Sequence, residues 1–315
     1  MGSEMCIRDR YKGRGNHMSD GMFIPTRKAS GNAIITLRED AFDSSGSSSA
    51  DESNNTKYSR LWGRRAVEVL NNEKLDEGVY RLTLRDSEIA KKAAPAQFVN
   101  LYSPDPTAML PRPFGVASVE GDTFTLIFAV IGKGTAKFAE LKPGDSIDAL
   151  GPLGLGFNIS KPAHYVLVSG GLGVPPILCA AQALSKREDS SVTAVLGYRN
   201  KRFADDLTKE YISDVHSITN AEGTVITLLD ELEKVKHFDF DDDLPTVILS
   251  CGPLPMMKAV AHWAHERNIE CQLSLEARMG CGYGTCVACV VDTLEGRLKV
   301  CNDGPVFDAN RLGWE

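Results

Sequence analysis

At Pro162 the apolar pattern of this sequence changes character, and that change narrows the folds open to it. Upstream, from about Leu61, the text runs in short β-like segments, RAVEVL, GVYRLTL, QFVNLYS, TFTLIFAVI and DSIDALG, cut by Gly, Pro and Asp turns. Regular short strands of this kind predict an antiparallel barrel. Downstream, YVLVSGG, VTAVLGY and TVILSCG are unbroken apolar runs, the pattern of strands buried on both faces of a parallel sheet. Helix-length segments lie between and after them, PPILCAAQALSK, TVITLLDELEKV and PLPMMKAVAHWAHER, which is the alternation of an α/β nucleotide-binding domain. The predicted fold class is therefore multidomain β plus α/β, with a small cysteine-rich module at the C-terminus.

The 315 residues are enough for two or three cores. The expected boundaries are 1–60 for a disordered extension, 61–160 for the barrel, 161–268 for the nucleotide-binding domain and 269–315 for the cysteine module. Residues 43–56, DSSGSSSADESNNT, cannot bury enough apolar surface to offset chain entropy. Residues 1–18 carry neither apolar periodicity nor a targeting pattern and are set apart from the fold. AIITL at 33–37 is the one strand-like run between these stretches.

A formal net charge of −7 offers no clustered positive face for nucleic acid. No run of about 18 apolar residues supports a membrane span. Eight cysteines in this length fall far below the density of a secreted disulfide scaffold, so a reducing cytoplasm is the expected setting. There, a tight cysteine cluster points to metal or redox chemistry.

That cluster is RMGCGYGTCVACVV, residues 278–291. With Cys301 the spacing is C-x4-C-x2-C-x11-C, whose first part is the plant-type pattern for a [2Fe–2S] cluster. Thiolates are soft anionic ligands to iron. Gly280, Gly282 and Gly284 suit a loop that turns backbone N–H groups toward sulfur through positive φ. VVDTLEGRLKV reads as a hairpin, its turn near Glu295–Gly296, returning Cys301 to the other three. A structural zinc site is the alternative, although zinc ribbons usually present two C-x2-C pairs and only one exists here. Cys6, Cys179 and Cys271 read as small packing residues or bystanders.

Two turns suggest dinucleotide binding. SGGLGVPP, 169–176, follows a parallel strand, and Pro175 and Pro176 suit the first turn of a helix whose N-terminus favours a pyrophosphate. SCGPLPMM, 250–257, ends another buried strand, placing Cys251 near a reacting nicotinamide if both turns flank one ligand. The alternatives are an ordinary strand–helix turn and an inert small residue. In the barrel, LPRPFGVAS supplies the Arg112 guanidinium, and Gly132 to Thr135 supply backbone and hydroxyl donors, an arrangement that would hold a flavin pyrophosphate. Arg199, after VLGY, is a possible partner for a 2′-phosphate or a plain surface residue. His262 and His265 in HWAH read as an exposed helix face, and DFDDDLP at 239–245 as a solvated loop.

In order, R-P-F, G-K-G-T, G-P-L-G-x-G-F, G-G-x-G-V-P-P, C-G-P and C-G-x-G-x-C-x-x-C make a chain that resembles the electron transfer subunits of class 1B dihydroorotate dehydrogenases, within the wider ferredoxin–NADP reductase group. The resemblance spans about residues 61–310 and is most specific in the cysteine module. It implies that Cys281, Cys286, Cys289 and Cys301 bind [2Fe–2S], and that FAD is contacted by Arg112, Pro113, Phe114, Gly115, Phe128, Ala129, Val130, Gly134 and Thr135. It implies further that NAD(H) meets Gly170, Gly171, Gly173, Val174 and Gly252, with Cys251 as the catalytic position. The implied partner is an FMN-containing dihydroorotate dehydrogenase catalytic subunit, in a heterotetramer, with Gly282, Tyr283 and Gly284 near the interface. A similar architecture is the FAD/[2Fe–2S] subunit of ferredoxin–NADP transhydrogenases or sulfide dehydrogenases, in which aspartate commonly replaces the first cluster cysteine. Departures from the pattern are Gly115, where Ser or Thr is usual, and Ser169, where Gly is common.

Overall fold

The computed structural model describes residues 63–314 apart from 106 and 238–243. The expected extension over 1–60, with its AIITL run and Cys6, and most of the acidic DFDDDLP stretch lie outside the described residues.

Six strands close into an antiparallel barrel: β1 (Arg65–Asp76), β2 (Val79–Arg85), β3 (Phe98–Tyr102), β4 (Arg112–Glu120), β5 (Thr123–Ala129) and β6 (Ser146–Leu153), in the order β1-β2-β5-β4-β3-β6. Closure comes from β6 returning to β1, with Arg65 opposite Ala149. Val69, Leu82, Leu84, Val99, Leu101, Val116, Phe124 and Leu126 fill the interior. Two short helices complete it, α1 (Ser87–Lys92) and α2 (Lys133–Ala139), which send Ile89 and Phe138 into the same core. Asp86 starts α1 by accepting the Ile89 N–H at 2.7 Å, and the same carboxylate takes a bidentate pair from Arg65 at 2.5 and 2.9 Å.

The second half is a six-stranded sheet in the order β14-β11-β10-β7-β8-β9, built from β7 (His164–Gly170), β8 (Ser191–Tyr198), β9 (Val215–Thr219), β10 (Thr246–Cys251), β11 (Glu270–Ser274) and, antiparallel at one edge, β14 (Val306–Asp308). The unbroken apolar runs have the expected cause: alternate residues face opposite cores. Tyr165, Leu167, Leu196 and Leu249 pack beneath α3 (Val174–Leu184), and Val166, Val168, Val195 and Ile248 beneath α5 (Val225–Lys234) and α6 (Leu254–Glu266). The short α4 (Asp205–Lys209) lies between β8 and β9. The chain leaves β7 toward β8 and β9, then crosses back to β10 on the other side of β7. The switch point of the sheet is thus the β7/β10 boundary, where open α/β sheets bind ligands.

The tail is woven into this sheet. β11 pairs in parallel with β10, β14 pairs with β11, and between them lie the cysteine loop and the hairpin β12 (Val290–Thr293) with β13 (Gly296–Lys299). Helix α7 (Ala309–Leu312) follows. The expected boundary at 268/269 therefore falls inside a shared sheet, because Cys271, Leu273, Val300 and Phe307 join one apolar core. GPLGLGF closes the barrel and also touches the tail: Gly154, at φ +76°, leaves no room for a Cβ, which would lie 2.5 Å from Pro305.

Candidate functional site

Beside the barrel rim lies a cleft of about 240 Å³ walled by Phe114, Gly115, Phe128, Ala129, Pro176 and Cys251. Its floor is aromatic: Phe114 packs on Phe128 and Phe138 with ring centroids 5.3 and 5.5 Å apart. At the rim the Arg112 guanidinium lies so close to Gly134 that a Cβ there would come within 2.8 Å of it. Arg112 donates to the carbonyl oxygens of Leu110 and Pro111, and no carboxylate pairs with it among the described residues. A guanidinium held this way, above apolar walls, fits a flavin with its phosphates. The Thr135 hydroxyl is taken up by its own loop, accepting from the Ile131 and Gly132 N–H groups at 2.9 and 3.1 Å and donating to the Gly132 carbonyl at 3.0 Å. It shapes the loop instead of offering a free donor. Pro113 lies on β4 and lines the cleft, while Val130 stands at the lip beside the exposed Ile131.

The two predicted dinucleotide turns meet. A Cβ on Gly173 would lie 2.1 Å from the Cys251 carbonyl oxygen, and one on Gly252, at φ +159°, would lie 2.9 Å from the Gly170 nitrogen. The strand–helix turns after β7 and β10 are therefore packed back to back. Gly170 and Gly171 line a second cleft of about 500 Å³, with Arg199, Asn220, Thr224 and Met256. No carboxylate pairs with Arg199 among the described residues, and the glycine turn, the free guanidinium and the cleft's size fit a dinucleotide. Val174 is fully buried and Gly173 is pressed on Cys251, so both build the turn without facing that cleft. Cys251 is 2% exposed, and burial together with the charge of Glu276 pushes its thiol well above the usual range, against a bond to Ser274 that lowers it. It is a neutral thiol.

The four tail cysteines are brought together by the hairpin, which carries Cys301 back until the Val300 N–H reaches the Cys289 carbonyl at 2.9 Å. Cys289 and Cys301 are buried, whereas Cys281 and Cys286 are half-exposed. Backbone N–H groups point at sulfur: Cys286 and Tyr283 donate to the Cys281 Sγ at 3.4 and 3.5 Å, and Gly284 to the Cys301 Sγ at 3.2 Å. Gly282 and Gly284 take the positive φ, +80° and +87°, that this wrapping needs. Burial opposes ionisation of Cys281, but the amides of Cys286 and Tyr283 outweigh it and hold the thiol down at about 6; burial and the Cys289 thiol push Cys301 up to about 12. Four thiols in two adjacent pairs, Cys281 with Cys286 and Cys289 with Cys301, with amide donors already turned toward sulfur, fit a [2Fe–2S] cluster.

Three contributors escaped the sequence reading. Asn100, on β3, donates to the Cys281 carbonyl at 2.9 Å. Ser274 and Glu276, from β11 and the loop after it, line the barrel-rim cleft, and desolvation raises the Glu276 carboxyl. The polar text of ECQLS gave a weak strand signal, and nothing in a single sequence ties residue 100 to residue 281. Cys179 is buried on α3, and His262 and His265 are exposed on α6, as expected.

A closed antiparallel barrel, a sheet with its switch point against the barrel rim and a four-cysteine tail define a reductase of the ferredoxin–NADP reductase type. The family model for the iron–sulfur cluster binding domain of dihydroorotate dehydrogenase B matches residues 276–313. The dihydroorotate dehydrogenase B (NAD(+)) electron transfer subunit of Bacillus caldolyticus is 36% identical over 264 residues, covering 79% of this chain and 98% of the relative. That of Clostridium perfringens is 33% identical over 247 residues, 76% and 94%. Among solved structures, the NADH-dependent reduced ferredoxin–NADP oxidoreductase studied for flavin-based electron bifurcation superposes with a TM-score of 0.70 at 27% identity, covering 81% of this chain and 92% of that one. The chain belongs to the family of dihydroorotate dehydrogenase B electron transfer subunits.

Proposed function

We propose that this chain passes electrons between NAD(H) and a partner FMN-containing dihydroorotate dehydrogenase catalytic subunit, by way of FAD and a [2Fe–2S] cluster, in cytoplasmic pyrimidine biosynthesis. The observation that carries the reading is the adjacency of the three sites: Cys251 and Pro176 wall the barrel-rim cleft from the sheet side, and Asn100 ties the barrel to the cysteine loop. When bound, nicotinamide exchanges electrons as hydride, the cluster one at a time, and a flavin between them handles both.

The chain's own residues do the positioning. Arg112 and the Gly134 backbone hold phosphate, Phe114 and Phe128 shape the apolar wall, and Gly115 on β4 faces Pro175 and Pro176 of α3, so barrel and sheet share one cleft. Gly170, Gly171 and Gly252 let a dinucleotide backbone approach closely, and the neutral Cys251 thiol excludes water without adding charge. Cys281, Cys286, Cys289 and Cys301 hold the iron.

The partner docks over the cysteine loop, where Tyr283 is exposed and Gly284 half-exposed, while Gly282 is buried against Asn100. Tyr283 and Leu155 are 52% and 57% exposed and flank an apolar depression of about 640 Å³. Among the described residues no helix is long and apolar enough to cross a membrane. Stoichiometric recovery of an FMN protein that oxidises dihydroorotate, on purification of the complex, is the expected result. A chain that NADH reduces but that never delivers electrons to such a partner counts against the reading. The second reading, a subunit of a ferredoxin–NADP transhydrogenase or sulfide dehydrogenase, draws on the TM-score of 0.70 with a protein of the first kind. Cys281 weighs against it, and recovery of a large ferredoxin-reducing subunit would favour it.

A further inference from the structure

Three of the chain's six histidines gather at the end of the sheet where β7, β8 and β9 begin, opposite the cofactor turns. Asp214 immediately precedes β9, His216 is its second residue, and His237 lies just past the end of α5. One carboxylate serves both imidazoles: the His216 Nε2 lies 2.9 Å from Asp214 Oδ1 and the His237 Nε2 2.9 Å from Oδ2. The ligand atoms of all three residues lie within 4.8 Å of one another. The two rings stand at 81° with centroids 4.9 Å apart, so their Nε2 atoms converge on the carboxylate instead of stacking past it.

The carboxylate is itself oriented from behind. Thr193 Oγ1, on β8, donates to Asp214 Oδ2 at 2.5 Å and lies 3.2 Å from the His164 Nε2, while the other nitrogen of His164 lies 2.6 Å from the Ser191 hydroxyl. Burial opposes ionisation of Asp214, but the bonds from Thr193, His237 and His216 outweigh it and keep the carboxyl below its ordinary range, so it is an anion at neutral pH. Side chains that hydrogen-bond to metal ligands are a regular part of metal sites, because they fix ligand orientation.

We infer that Asp214, His216 and His237 form a binding site for one divalent transition-metal ion, with zinc the best match. Two imidazole nitrogens and one carboxylate oxygen are the donor set of open, water-completed zinc sites, and they suit zinc far better than calcium or magnesium, which demand oxygen. The site owes nothing to the cysteine loop: its ligands come from the opposite edge of the sheet and it has no thiol. Its physical effect is to clamp β9, which among the described residues is an edge strand paired only with β8, to the segment that follows α5.

The test uses the full chain, free of any affinity tag, with its iron loaded. After chelator treatment and equilibration with zinc chloride, zinc, iron and labile sulfide are counted per chain. The wild-type protein should retain one zinc that the H216A/H237A double variant lacks, with iron and sulfide equal in both. T193V, which leaves the three ligands in place, should bind zinc about ten- to a hundredfold more weakly. Zinc should also raise the unfolding temperature of the wild type and not of the double variant. Both imidazoles are about two-thirds buried at the surface, and matching circular dichroism shows whether the variant has folded. Zinc uptake that survives the double substitution, or that is matched by loss of iron, overturns the assignment.

Discussion

The side-chain amide of Asn100 donates to the backbone carbonyl of Cys281 at 2.9 Å, joining a barrel strand to the cysteine loop across 181 positions of sequence. Asn100 is fully buried, and a Cβ on the neighbouring Gly282 would lie 2.3 Å from its amide nitrogen, so the contact is close on both sides. It fixes the cysteine loop against the body that carries the barrel-rim cleft. N100A should therefore leave iron content and NADH-driven flavin bleaching near wild type while slowing reduction of the iron centre, read by stopped-flow absorbance. Leaving the Cys281 carbonyl unpaired should cost about 1–3 kcal/mol of stability.

At Gly115 a Cβ would meet the Pro176 Cδ at 3.4 Å and the Pro175 Cβ at 3.7 Å, ordinary contact distances. G115S should therefore fold normally and, by adding a hydroxyl donor at the cleft, retain FAD more tightly through gel filtration. Weaker FAD retention in G115S would show that the glycine is needed for docking β4 on α3.

Gly173 has no such tolerance. G173A must displace the turn after β10, since its Cβ would lie 2.1 Å from the Cys251 carbonyl oxygen. The rate of flavin reduction by NADH should fall about ten- to a hundredfold, because ångström-scale misplacement of the reacting groups costs up to about 10²-fold. Flavin content should fall less than the NADH-dependent rate, because Arg112 and Gly134 lie elsewhere although Cys251 walls the barrel-rim cleft.

Burial pushes the Cys251 thiol up, and the Glu276 charge acts the same way. The thiol should stay protonated across the working range, and the rate of flavin reduction by NADH should show no thiolate ionisation between about pH 6 and 9. C251S should preserve most of that rate. A pH profile whose alkaline limb disappears in C251S would contradict the neutral-thiol assignment.

The Arg65–Asp86 pair gives the barrel a pH-dependent component. Burial raises the Asp86 carboxyl, but the Arg65 guanidinium and the Ile89 amide outweigh this, leaving it below its ordinary value. A depressed folded-state pKa contributes stability that is fully present above the unfolded value of about 3.9 and is lost as pH falls through the lower folded value. D86A should destabilise the chain by about 1–3 kcal/mol at pH 7, through loss of the helix cap and the bidentate pair, and the gap in urea midpoints should narrow below pH 4.

Much of this was legible because local chemistry and global role agree. The unbroken runs at β7, β8 and β10 announced a sheet buried on both faces, and the glycines and prolines of SGGLGVPP announced the turn at its switch point. The hairpin of VVDTLEGRLKV was readable from its turn residues, and its observed pairing sets Thr293 opposite Gly296. The strands that went unread have mixed text for physical reasons. β4 contains Pro113 and Gly115 because its start lines the cleft, β9 is a half-covered edge strand reading VHSIT, and β11 carries Gln272 to hold Asn158 at 2.8 Å. The His216–Asp214–His237 cluster was invisible because its members come from an edge strand and a distant helix end.

β11 and β14 hold the cysteine loop between two strands of the nucleotide sheet, so the iron-bearing segment cannot be treated as a detachable cassette. Truncating the chain before Glu270 would strip two strands from one flank of the sheet and expose the β10 edge, turning a redox deletion into a folding defect. Grafting the tail onto another reductase would likewise require that host to offer an open strand in the same register.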